Sequence, residues 1–114
     1  MNRLVVITAA VAALAFGAGK LAAQAPGGAA LYTRNCVACH GATGVPNPAM
    51  VRSLGAIPDL SDARAMAAKA DSSLIGAVAN GVGRKMPAYG TRLTGEQIRA
   101  IVTHLRTLSR RPAP

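Results

Sequence analysis

Apolar residues in this chain recur at helical rather than alternating intervals. The clearest run is near the C-terminus, where Ile98, Ile101, Val102, Leu105 and Leu108 trace one stripe of a helix. Thr94 and Gln97 precede the stripe at the spacing of a capping box, which sets the helix start. Arg106, Arg110 and Arg111 suit the negative end of its dipole. Gly28, Leu31, Tyr32 and Asn35 give the i, i+3, i+4, i+7 pattern of a short helix after the break at Pro26 and Gly27. Leu74, Ile75 and Val78 form the apolar side of another helix, begun at Asp71 or Ser72 and ended by Asn80 and Gly81. Ser61 is placed to cap a weak, Ala-rich helix through about Ala70 that carries Met66. Positions 45–58, with prolines at 46, 48 and 58, read as a long connecting loop, and positions 82–89, with Gly83 and Pro87, as a second. No stretch alternates as a strand does. The pattern predicts an all-α domain of short helices and loops.

The first residues follow a different logic. Arg3 precedes an almost wholly apolar run from Leu4 through Phe16, and Ala23, Gln24 and Ala25 then form an A-x-A site. The run is too short to span a membrane comfortably. Residues 1–25 are therefore expected to be a secretory signal peptide, with cleavage after Ala23 as the alternative. Residues 26–114 would form one small domain in the periplasm of a bacterium, tied to the membrane directly only if the leader were retained.

Composition adds two constraints. Past the leader the aromatics are Tyr32 and Tyr89, and the remainder is dominated by Ala, Gly, Leu and other small residues. A domain of this size with a core of small side chains is marginal, so a further apolar body is expected at its centre. The charge is +9 for the whole chain and +7 once Arg3 and Lys20 are removed with the leader. The basic residues are dispersed, without the aromatic platform of a nucleic-acid binder. They favour an acidic protein partner.

Cys36, Val37, Ala38, Cys39 and His40 spell C-x-x-C-H, the attachment pattern for c-type haem. Two thiols at this spacing can add to the two vinyl groups on one edge of the porphyrin, and the adjoining imidazole is brought to the iron as proximal ligand. A redox-active C-x-x-C belongs beside a strand, and none is evident. A zinc site would need His104, 64 positions beyond His40, and a further ligand. No other cysteine is present, so one motif predicts one haem. Met86 is the candidate for the second axial position, since it lies in a loop and Pro87 biases it towards an extended conformation. Met50 is the alternative in the first loop, and Met66, in a helical pattern, is expected in the core.

From Gly28-Ala29-Ala30-Leu31-Tyr32 through Cys36-Val37-Ala38-Cys39-His40-Gly41, Ile57-Pro58-Asp59-Leu60, Asn80-Gly81 and Met86-Pro87-Ala88-Tyr89-Gly90 to Leu93-Thr94, the chain resembles the small class I cytochromes c. The resemblance implies helices enclosing one covalent haem c, with His40 and Met86 as iron ligands and the first and last helices crossing near Gly28. It further implies that the Pro58 carbonyl accepts a hydrogen bond from the proximal imidazole, with Pro46 or Pro48 as alternatives. Leu60 would pack on the haem, and Tyr89 would line the pocket or bond a propionate. His104 stands where relatives usually carry an aromatic, which implies a looser contact between the terminal helices. The function implied is one-electron transfer between periplasmic redox proteins, without bond chemistry of its own. A small haem subunit of a multi-subunit oxidoreductase is the alternative, and a ligand-binding or peroxidatic haem module ranks last.

Overall fold

The computed structural model describes residues 26–110; the leader, its cleavage site and Arg111 lie outside the described residues. Six helices follow in chain order: α1 (Gly28–Asn35), α2 (Val37–His40), α3 (Pro48–Leu54), α4 (Ala63–Ala67), α5 (Asp71–Asn80) and α6 (Gly95–Leu108). Extended pairing among the described residues is confined to an isolated bridge between Val82 and Met86. The all-α expectation holds.

α6 begins as its sequence dictates, with the Thr94 hydroxyl accepting from the Gln97 amide and the Gln97 side chain accepting from the Thr94 amide. Ile98, Ile101, Val102, Leu105 and Leu108 are all buried along one face. That face packs on α1, where Leu31 and Tyr32 are buried, and on α5, which contributes Leu74 and Val78. Gly28 makes the crossing possible. A Cβ there would strike the Ala100 carbonyl of α6, meeting its carbon at 2.5 Å, so the two backbones touch with no side chain between them. His104 packs its ring on Tyr32 with centroids 5.1 Å apart. The rings meet at a tilt of 53°, so the histidine supplies a ring contact at the crossing that the sequence predicts to be looser.

Three further expectations need correction. Positions 48–54 are helical rather than loop: Asn47 caps α3 by accepting from the Ala49 amide, and Pro48 occupies the first turn, where its missing N–H is no loss. The cap of α4 is Asp62, not Ser61, and accepts from the Arg64 and Ala65 amides. Ser61 instead bonds Asp59, and α4 stops at Ala67, short of Ala70. Arg106 does more than face a dipole. Its guanidinium donates to the Met66 and Lys69 carbonyls at the end of α4 and pairs with Asp71 at 2.8 Å. Asp71 is mostly exposed, so the pair itself adds little; satisfying the carbonyls of a helix end is the larger effect.

Candidate functional site

A cavity of about 420 Å³, a size typical of small-molecule and cofactor sites, lies between the helices and has a mainly apolar wall. All seven residues singled out in the sequence reach it: Cys36, Cys39, His40, Pro58, Leu60, Met86 and Tyr89. Core side chains Tyr32, Leu74, Ile101 and Leu105 complete much of the wall.

The attachment segment is a helix that breaks and restarts. α1 ends at Asn35, Cys36 turns out of helical geometry at φ −122°, and its carbonyl then accepts from the amides of Cys39 and His40 at 3.3 and 2.9 Å. A single turn therefore presents Cys36, Cys39 and His40 at i, i+3 and i+4, on one face. Both thiols are free and half-buried. Burial, with Cys39 adding to it, pushes the Cys36 thiol up to about 11. Burial also lowers the His40 pKa, keeping the imidazole neutral. Its Nδ1 is buried with no hydrogen-bond partner. Pro58 lines the cavity, yet its carbonyl receives no bond from His40 in this arrangement.

Met86 is placed by the end of α5. Gly81, at φ +73°, turns the chain where a Cβ would meet the Met86 carbonyl at 2.5 Å. Val82 and Met86 then exchange backbone hydrogen bonds of 3.0 and 3.3 Å, closing a tight loop with Met86 half-buried in the cavity wall. The Tyr89 and Gly90 amides return to the Val78 and Ala79 carbonyls, so the loop is anchored on both sides. Met50 sits half-buried on α3 and does not reach the wall, whereas Met66 is core, 1 % exposed.

The donor set fits a planar apolar group carrying iron: two free thiols, a neutral imidazole with an unpartnered nitrogen and a thioether, in an apolar enclosure. Sequence reasoning missed Leu54 and Lys69 as wall residues, because α3 was unrecognised and α4 was drawn too long. The signal for α3 was present in Asn47-Pro48, a capping residue followed by a first-turn proline.

Residues 23–105 match the family described as cytochrome C oxidase, cbb3-type, subunit III. The chain belongs to this family. Two curated proteins, both cbb3-type cytochrome c oxidase subunit FixP, are similar to this chain. That of Bradyrhizobium sp. (strain ORS 278) is 34 % identical over 85 residues, 75 % of this chain and 28 % of its own length. That of Azorhizobium caulinodans is 32 % identical over 81 residues, 71 % of this chain and 26 % of its own. The chain thus spans little more than a quarter of those relatives. Cytochrome c-553 of Nitratidesulfovibrio vulgaris is 54 % identical over 44 residues, 39 % of this chain and 40 % of its own. Among solved structures, the KustC0563 c-type cytochrome superposes with a TM-score of 0.67 at 30 % identity, covering 73 % of this chain and 98 % of the other. The chain has the class I cytochrome c fold.

Proposed function

We propose that this chain is a monohaem electron-transfer subunit of a respiratory oxidoreductase of cbb3 type, released from its leader as residues 26–114. The observation that carries the reading is the single cavity wall shared by Cys36, Cys39, His40 and Met86. Haem c, when bound, supplies a reversible one-electron couple at its iron. Cys36 and Cys39 would hold it through their thiols, and the imidazole of His40 and the thioether of Met86 would ligate its iron. Leu60, with Leu74, Ile101 and Leu105, would exclude water from it. Tyr89 lines the cavity, and its hydroxyl donates to the Asn35 carbonyl. Arg84 and Lys85 are exposed on the Met86 loop, and Arg34 and Arg92 are exposed near either segment; these cations support docking by an acidic redox partner.

Ligation is tested by spectroscopy of the oxidised holoprotein. A methionine-to-iron charge-transfer band is expected, and Met86→Ala should abolish it while Met50→Ala leaves it intact. A band that survives Met86→Ala would reassign the ligand. A freely diffusing carrier is the second reading, supported by the match to 98 % of a solved cytochrome chain of comparable extent. Native-size analysis of periplasmic extracts separates the two, since a subunit co-migrates with oxidase polypeptides at a fixed ratio and a shuttle runs as a monomer.

A further inference from the structure

The two segments that carry the proposed iron ligands lie far apart in sequence, and among the described residues no backbone hydrogen bond joins them. Tyr89, three residues after Met86, does so with its side chain: its hydroxyl donates to the Asn35 carbonyl at 3.0 Å. Asn35 is the last residue of α1 and immediately precedes Cys36. Its carbonyl is one of those a helix end leaves without an intrahelical donor, so the phenol satisfies a group that the break at Cys36 orphans. The ring is held independently of this bond. The Tyr89 amide donates to the Val78 carbonyl at 2.9 Å, and the Arg92 guanidinium lies 4.2 Å over the ring.

We infer that Tyr89 is a positioning residue, a latch whose hydroxyl keeps the Met86 loop closed against the attachment segment and so keeps the thioether in place. The inference rests on Met86 being an axial ligand. If the loop opens, an external base can take the vacated position, and its apparent affinity scales with the fraction of open molecules. Removing one hydrogen bond of ordinary strength shifts that fraction by about fivefold.

The experiment is imidazole titration of the ferric holoprotein, followed through the methionine-to-iron charge-transfer band, for wild type, Tyr89→Phe and Thr94→Ala. Tyr89→Phe keeps the ring and deletes the hydroxyl alone. It should bind imidazole about fivefold more tightly, losing the band at correspondingly lower imidazole concentration. Thr94→Ala removes a helix cap that does not line the cavity and lowers global stability comparably; its imidazole affinity should equal that of wild type. Equal affinities for wild type and Tyr89→Phe, with the band present in both, would overturn the latch alone. A similar gain in Thr94→Ala would overturn it too, by reducing the effect to general loosening. Absence of the band from wild type would overturn the ligation reading and the latch together.

Discussion

Gly28→Ala is the substitution that most directly tests how α1 and α6 are held. The new methyl would meet the carbonyl carbon of Ala100 at 2.5 Å and strike its oxygen, whereas carbon contacts settle at about 3.5–4.0 Å. The obstruction is backbone, so no rotamer change relieves it, and the helices must part by about 1 Å. A gap of that size forfeits roughly a quarter to a half of each affected dispersion contact, and Leu31, Tyr32, Ile101 and Leu105 all pack near the crossing. Alanine returns at most about 1 kcal/mol through helix propensity. The net loss expected is about 2–3 kcal/mol, within the range for overpacked cores. For a domain of this length that lowers Tm by roughly 10–20 °C. Urea unfolding of the holoprotein, followed by circular dichroism, gives the loss from the midpoint at constant slope. A change under about 0.5 kcal/mol would refute the close-contact account and assign Gly28 to chain flexibility.

The remaining predictions concern the cofactor, proton linkage and docking. Cys36→Ala/Cys39→Ala, produced in an export-competent host, should yield little folded protein, because the cavity interrupts the core; a soluble apoprotein with a sharp thermal transition would contradict this. Burial pushes the Tyr32 phenol from 10.0 up to about 12, with a smaller push from the Cys36 thiol that thioether formation would remove. The folded state thus holds that proton more tightly than the unfolded one, and the linked stability is complete below pH 10 and lost as pH rises towards 12. Urea midpoints between pH 9 and 11 should accordingly fall more steeply for wild type than for Tyr32→Phe, and parallel curves would rule the linkage out. Electron transfer to the cognate partner should slow as salt rises, and Arg84→Glu/Lys85→Glu should slow it several-fold at low salt without altering the haem spectrum. Stopped-flow rates independent of salt and of the charge reversal would instead support an apolar docking patch.

Local signals carried most of the sequence reading. The stripe of α6, its capping box, the Asn80-Gly81 stop of α5 and the attachment motif depend on residues within a turn or two of one another, and each stands where its chemistry places it. Errors arose where one residue type serves opposite ends. Pro48 counts as a breaker among the loop prolines, although the same fixed φ starts a helix when a capping Asn precedes it. Ser61 and Asp62 are both acceptable caps, and the choice fell to the Asp59 carboxylate, which captures Ser61. Contacts across the chain left no local trace. Nothing near Arg106 announces that it will bind carbonyls of α4, and nothing near Tyr89 announces Asn35, 54 positions earlier.

Tyr32, Leu60, Leu74, Ile101 and Leu105 belong at once to the packed core and to the cavity wall. Scaffold and site are consequently one structure, and drift at these five positions alters folding and cofactor environment together. Room for independent variation is left at the rim, where Ala56, Pro58, Lys69, Ser73, Val82, Lys85 and Pro87 line the cavity while remaining exposed. A lineage adapting this domain to a new donor or acceptor therefore has a narrow corridor: seven surface positions can change the mouth of the site while the interior stays as it is.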